Sequence, residues 1–216
     1  MSNGYGRIAF TPAVQDQQEH HGSRHFYDRQ TARADRTAGP DPLTDEVRNY
    51  LSKRDSFYLA SVSETGWPYI QFRGGPPGFL TVLSNDTIGW ADFRGNLQYI
   101  STGNLHHDDR VALIVMDYPA RRRLKIYGHA TVHDAEEAPA LVERLAERHY
   151  DAVIERAVVV QVEAYDWNCP QHITPRYTLE EIREQTDILR HRVTALEAEN
   201  TQLRQLLKAA TTAGDT

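Results

Sequence analysis

Three stretches set amide and cationic side chains beside glycines at the ends of apolar runs: QFRGGPPGF (71–79), GWADFRGNLQYISTGNL (89–105) and NCPQHITPR (168–176). That combination suits a phosphorylated, flat ligand with polar edges, because glycine lets the backbone approach closely while cations and amides bond its oxygens. Gln71 and Arg73 alternate onto one face of a strand, which therefore presents donors, although an arginine before a turn is as often a plain surface residue. In the second stretch Ala91 is small, Asp92 accepts hydrogen bonds, and Arg94-Gly95-Asn96 sits where a strand gives way to a helix. Free N–H groups and the dipole at a helix N-terminus favour phosphate, which points to a phosphate near Arg94, Asn96 and Gln98. The plainer reading makes Asn96 a helix cap.

Alternation along RRRLKIYG puts Arg121, Arg123 and Lys125 on one strand face and Leu124 and Ile126 on the other. A charged face on a half-buried strand needs a counter-charge, which an anionic ligand would supply, unless that face is simply solvated. Trp167, Asn168, Gln171, His172 and Arg176 lie in a proline-bounded loop, where an indole can cover a ring and the polar groups can bond its edges. A lone loop histidine such as His172 is more often a hydrogen-bonding group than a general base.

Composition removes several classes of function. The net charge of −6 disfavours a general nucleic-acid grip, which needs a basic surface. A single cysteine, Cys169, excludes an internal disulfide framework and a cysteine-based zinc site within one chain, and with it points to the cell interior. No apolar run approaches the ~20 residues of a membrane span, and the N-terminus lacks a signal-peptide layout, so a soluble cytoplasmic protein is expected. His106-His107-Asp108-Asp109 reads as a solvated loop rather than a metal site. Dinucleotide, Walker and nucleophile-elbow motifs are all missing.

The elements that must position these residues are mostly strands. Residues 1–42 are polar, with few apolar anchors, and form an arm that is draped on the domain or partly disordered. Thr44 caps a short helix within Leu43–Arg54. FYLASVS, PYIQFRG, FLTVLS, TIGWADF, RVALIVMDY, RLKIYGHATV and AVVVQVEAY are strand-like runs broken by glycine, proline and asparagine turns, with ALVERLAERHY as a helix before the last. The expectation is a mainly β, α+β domain over 43–177: a small antiparallel barrel with flanking helices. Over 178–210, Leu179, Ile182, Thr186, Leu189, Val193, Leu196, Asn200, Leu203 and Leu207 step by three and four, a heptad seam of about four repeats. An amphipathic helix more often packs on its own domain, but this stripe is narrow, long and flanked by charges, and Asn200 at an a position favours a two-stranded pair. Two prolines in DWNCPQHITPRYT exclude a continuous basic helix entering DNA.

QFRGGPPGF, WADFRGNLQYISTGNL, DDRVALIVMDYPARRRLKIYG and NCPQHITPRY together resemble the pyridoxamine 5'-phosphate oxidase-like family of FMN-binding split β-barrels, over about Leu43–Tyr177. The resemblance implies a homodimer with two FMN sites at the subunit interface. It matches Gln71, Phe72 and Arg73 to the first flavin-contacting strand, and Ala91, Asp92 and Asn96 to the second strand and its phosphate turn. Arg123 and Lys125 match the strand that reaches the flavin edge, and Trp167, Asn168, Gln171 and His172 the loop donated by the partner subunit. FRGN stands where the true oxidase has a Ser-Arg-Lys type turn, and the C-terminal loop lacks the arginine and histidine that hold the vitamin's phosphate, so pyridoxamine phosphate is not the expected substrate.

These readings lead to an FMN-dependent oxidoreductase, dimeric through the barrel and the C-terminal coiled coil, exchanging electrons with NAD(P)H or another small donor. No residue need be a proton-transfer catalyst, since the flavin carries the chemistry. The competing reading is a non-catalytic flavin-binding or sensing module whose zipper presents a dimer surface. A deazaflavin or haem in the same cleft is a further alternative, haem being disfavoured because no histidine has an axial setting.

Overall fold

In a computed structural model, which describes residues 4–34, 39–147 and 150–213, the β-rich runs form one sheet. Its strands are β1 (Ser56–Val62), β2 (Pro68–Gly74), β3 (Thr81–Val82), β4 (Thr87–Phe93), β5 (Arg110–Asp117), β6 (Arg122–Asp134) and β7 (Ile154–Trp167). They pair antiparallel in the order β2-β1-β5-β6-β7-β4-β3, so the sheet is not closed by backbone hydrogen bonds. Each of the seven sequence-predicted strands is present, and the long C-terminal helix joins them in a split-barrel, α+β fold.

Period-two alternation decides which face turns inward. Phe57 and Leu59 of β1, Val111, Leu113 and Val115 of β5, Leu124 and Ile126 of β6, and Val158, Val160 and Val162 of β7 are buried in one core. Phe57 stacks on Phe79 at 5.6 Å and meets Trp90 of β4 edge-on at 4.9 Å, so strands well separated in the sheet order touch through the interior. The sheet has therefore rolled around its own core. Helix α4 (Asp45–Leu51), capped by Thr44 as the sequence indicates, seals one end with Val47 and Leu51. Its Tyr50 hydroxyl donates to the Val115 carbonyl at 2.9 Å, and burial raises the pKa of that phenol.

The N-terminal arm is more ordered than its composition suggests. Its described residues carry α1 (Tyr5–Ala9), α2 (Pro12–His20) and α3 (Arg24–Ala34), with Thr11 capping α2 and Pro12 at its first position. Gly4 N–H donates to both oxygens of the buried Asp41 carboxylate at 2.9 and 3.1 Å, and Tyr5 stacks on Tyr127 of β6 at 5.2 Å. One aromatic stack and one carboxylate thus anchor the start of the polar arm. Residues 35–38, also within the expected arm, lie outside the described residues.

Helix α5 (Ile100–His107) follows β4 across a loop, and α6 (Pro139–Leu145) precedes β7. The amphipathic helix expected as far as Tyr150 ends at Leu145, with residues 148 and 149 outside the described set. Arg121, expected on the β6 face, lies instead in the preceding turn at φ 52°. The chain divides into two compact units, Met1–Ile173 and Thr174–Thr216. The second carries α7 (Leu179–Ala213), whose start is a capping box: Thr178 Oγ1 accepts from Glu181 N–H, and Glu181 Oε2 accepts from Thr178 N–H at 2.7 Å. Among the described residues no helix is long and apolar enough to cross a membrane.

The longest pairing, β6 with β7, shifts register between Tyr127 and Gly128. A Cβ at Gly128 would press on the Gln161 carbonyl and lie 2.7 Å from a Val160 methyl, so this irregularity requires glycine. Gly128→Ala is expected to destabilise the domain by about 1–3 kcal/mol, the cost of overpacking; urea unfolding followed by tryptophan fluorescence measures it.

Candidate functional site

The second irregularity in the sheet creates the site. β4 pairs with β7 in regular register as far as Asp92 opposite Arg156, then shifts so that Phe93 lies opposite Ile154, leaving Glu155 as an extra residue. Adjacent strand residues ordinarily face opposite ways, but a bulge re-aims them. Glu155 and Arg156 accordingly line one pocket, with Gln71 and Arg73 from β2 and Asp92 from β4.

Asp92, with its side chain only 3% exposed, is the hub. Its Oδ1 accepts from Arg73 Nη1, and its Oδ2 accepts from Arg156 Nε at 3.2 Å and Nη2 at 3.0 Å. Arg156 also donates to Glu155 Oε2 at 2.9 Å, while Glu155 Oε1 accepts from Arg94 Nε at 2.8 Å and from the Tyr99 hydroxyl at 3.3 Å. Three guanidinium groups thus alternate with two carboxylates, leaving one positive charge in excess. Burial works against the Arg156 cation, but the hydrogen bonds and charges of Asp92 and Glu155 outweigh it and raise its pKa. The hydrogen bond from Arg94, aided by Arg156 and opposed by burial, holds the Glu155 carboxyl below its ordinary value of 4.5.

The third wall is the loop between β4 and α5. Leu97 and Tyr99 adopt left-handed φ values of 61° and 51°, costly for residues with side chains and typical of functional loops. Asn96 Oδ1 accepts from Gln98 N–H at 3.3 Å, so Asn96 braces this loop rather than capping the helix, which has Tyr99 at its N-cap. The start of α5 faces the pocket through Ile100, Ser101 and Thr102. Ser101 Oγ donates to Gln71 Oε1 at 2.6 Å, and the buried Asn104 donates to Ser61 Oγ at 3.0 Å, fastening α5 to β2 and β1.

The cavity measures about 230 Å³, below the ~300 Å³ at which pockets begin to enclose a whole cofactor-sized ligand. It suits an anionic group and a short polar chain. Arg73 Nε is buried with no hydrogen-bond partner, an orphan donor that an oxyanion would satisfy. The excess positive charge and the unbonded first N–H groups of α5 fit the same ligand. The phosphate end of FMN therefore fits the donors present, with the ring system left to extend beyond this cavity.

The sequence-predicted residues fall into two groups. Gln71, Arg73, Asp92, Asn96 and Gln98 meet at this pocket. Phe72 points the other way, exposed and edge-on to Tyr58 at 5.6 Å, and Ala91 is buried beside Ala157 and Leu145. The rest gather at the far end of β7. The Asn168 amide sits against the Arg123 guanidinium; Lys125 pairs with Asp166 at 3.3 Å and lies 4.4 Å above the Tyr5 ring; Trp167 meets Tyr50 edge-on and carries Arg122 on its face. Gln171 and His172 are exposed or at the loop surface, His172 at φ 63°. From Arg156 to Trp167 is roughly 36 Å along the strand, at about 3.3 Å per residue. One chain does not bring the two groups to one ligand. Arg156, Glu155, Tyr99 and Ser101 escaped sequence reasoning; the one available signal was the adjacent pair Glu155-Arg156 opening an otherwise apolar strand.

Residues 43–170 match the family model described as pyridoxamine 5'-phosphate oxidase. The chain belongs to this family. The matched segment spans α4 to just beyond the end of β7 and so contains the pocket group and, of the far group, all but Gln171 and His172. Among solved structures, a putative pyridoxamine 5'-phosphate oxidase from Lactobacillus delbrueckii is 23% identical, covering 58% of this chain and 93% of its own, at a TM-score of 0.44. HupZ of Group A Streptococcus is 14% identical over 62% of this chain and 99% of its own, also at 0.44. HutZ of Vibrio cholerae, described as a haem storage protein, is 13% identical over 58% and 94%, at 0.38. No curated protein matches the chain. Among the described residues no group of three or more His, Cys, Asp or Glu is placed to hold a metal.

Two expectations follow for this member of the pyridoxamine 5'-phosphate oxidase family. Asp92→Ala leaves the Arg73 and Arg156 guanidinium groups, 16% and 12% exposed, without their shared carboxylate and should cost about 3–5 kcal/mol in urea unfolding. Because Glu155 has a depressed folded pKa, its contribution to stability is complete above 4.5 and fades as pH falls through the lower folded value. Melting curves of the wild type and Glu155→Gln should therefore differ at neutral pH and converge in strong acid.

Proposed function

We propose that the protein binds FMN, with the phosphate held in the Asp92-centred pocket, and acts as a homodimeric FMN-dependent oxidoreductase. The observation that carries this reading is the unpartnered, buried Arg73 Nε in a pocket with one excess positive charge beside the start of α5. In this reading Arg73 and Arg156 bond the phosphate oxygens, and the Asn96 and Gln98 amides serve the polar chain that follows. Asp92 keeps both guanidinium groups fixed before the ligand arrives, so little side-chain freedom is lost on binding.

The isoalloxazine, when bound, supplies hydride or electron transfer. This chain's residues orient it and exclude water rather than move protons: the two carboxylates of the pocket are committed to arginines, and no histidine lines it among the described residues. The Trp167, Asn168, Gln171 and His172 group would cover the ring from a second copy, because on the same chain it stands at the opposite end of β7. The exposed Ile70 and Phe72 of β2, with Tyr58 of β1, supply an apolar face for that copy. NADH or NADPH is the proposed small-molecule electron donor, and pyridoxamine phosphate is not the proposed substrate, since FRGN replaces the oxidase's Ser-Arg-Lys type turn.

The ion-paired state of both pocket carboxylates also favours a second reading, a flavin-binding module without turnover. Anaerobic mixing with NADH or NADPH separates the two: bleaching of the bound flavin supports the enzyme, and an inert flavin supports the module. The prior test is the absorption spectrum and ligand mass of the purified protein. Flavin bands and the mass of FMN are expected, haem or deazaflavin would redirect the assignment, and a colourless protein that takes up no added FMN would overturn it. Arg73→Ala leaves Asp92 paired with Arg156, so the fold should survive while FMN affinity falls ~10- to 100-fold, the loss of a charge-assisted hydrogen bond.

A further inference from the structure

The heptad seam of α7 is exposed throughout its described apolar a and d positions: Leu179, Ile182, Leu189, Val193, Leu196, Leu203 and Leu207 are between 45% and 73% accessible. An amphipathic stripe this long does not remain in water without a partner. Charge and polarity along the helix identify that partner. With Leu179 at a, the seam is flanked at its g positions by Gln185, Arg192, Glu199 and Leu206 and at its e positions by Arg183, Arg190, Glu197 and Arg204. In a parallel pair, each g residue meets the e residue five positions further along the other helix.

We propose that α7 pairs with α7 of a second copy as a parallel, in-register two-stranded coiled coil, locked by Arg192 with Glu197, Glu199 with Arg204, and Asn200 with Asn200. Two of the three g-to-e contacts are then of opposite charge, the third setting the neutral Gln185 against Arg190, and each occurs twice by symmetry. None of the four charged side chains makes an ion pair within its own chain among the described residues, so each is available for one in trans. Asn200 meets its own copy, so a buried amide finds an amide partner. The fully overlapped antiparallel arrangement is worse on both counts: it keeps Arg190 with Glu197 and Arg192 with Glu199 but sets Arg183 against Arg204, and it places Asn200 against the apolar Leu189. Unpaired burial of an amide and facing like charges are what specify register and direction in coiled coils.

The arrangement has a consequence for the family domain. A parallel pair brings the two Leu179 residues together, and only Thr174–Thr178 separate α7 from Ile173, which is buried in the first unit. Two copies of that unit are thereby tethered at one end of the zipper, at the millimolar effective concentration typical of short linkers. The pairing is argued from α7 alone and uses no residue of the pocket assigned to the flavin.

Cysteine cross-linking of the full chain tests it. In a Cys169→Ser background, Asn200→Cys puts two thiols in the seam face to face, whereas Thr194→Cys, at a solvent-facing b position, keeps them apart. In a glutathione redox buffer Asn200→Cys should give a covalent dimer at least about tenfold faster than Thr194→Cys. Equal rates, or a monomer in sedimentation velocity at micromolar concentration, would overturn the proposal. As a check on the flanking charges, chains carrying Glu197→Lys with Glu199→Lys and chains carrying Arg192→Glu with Arg204→Glu, each also carrying Cys169→Ser and Asn200→Cys, should cross-link to each other in preference to themselves. Indiscriminate cross-linking would remove the assigned ion pairs. Flavin uptake is not read in either experiment, so a failure here and a failure of the flavin reading are distinguishable.

Discussion

The Asp92 carboxylate is the constraint on which the site depends. β2 is one edge of the sheet and β4 lies next to the other edge, so no ladder hydrogen bonds join them. Arg73 from β2 and Arg156 from β7 both bond Asp92, and the charge network spans the split that the backbone leaves open. A buried carboxylate is expensive to desolvate and tolerable only because it is fully paired. The same pairing holds two cations rigidly at a pocket mouth. Fold closure and ligand grip thus use the same three side chains.

The bulge that strands Glu155 serves this arrangement. Without it, Arg156 and Glu155 would face opposite sides of β7, and the chain of charges from Arg73 to Arg94 would break at its middle. The left-handed turns at Leu97 and Tyr99 act from the other side, bringing the start of α5 to the pocket and letting Tyr99 lie under the Arg156 guanidinium, 4.9 Å from its ring centre. At the pocket, irregular geometry supplies donors that the regular sheet would not. A single chain nevertheless leaves the Trp167 group at the far end of β7, and a second copy is the economical way to unite the halves. The proposed pairing of α7 is an independent reason to expect a second copy.

The strands were legible because glycine, proline and asparagine turns separate runs with clear two-residue alternation, and the Thr44 cap was legible because a cap is a local event. Gln71 and Arg73 could be assigned to one face by the same alternation, and the family to four motifs read together. Arg156 could not be found that way: its role depends on a register shift and on strands 64 residues apart in sequence. The N-terminal helices were hidden for a different reason. Their residues are polar overall, and what orders the arm's start is one Tyr5 stack and one Asp41 carboxylate, contacts that composition averages away. Arg121 escaped because a left-handed turn residue precedes the strand it was counted in.

The central claim is that the Asp92-centred pocket is a phosphate grip. Paired titrations of the purified chain with FMN and with riboflavin, which differ only in that phosphate, test it most directly through quenching of flavin fluorescence. FMN is predicted to bind tighter by ~100-fold or more, as expected when two or more charge-assisted hydrogen bonds are lost, and added salt should narrow the gap. Equal affinity for the two flavins would contradict it.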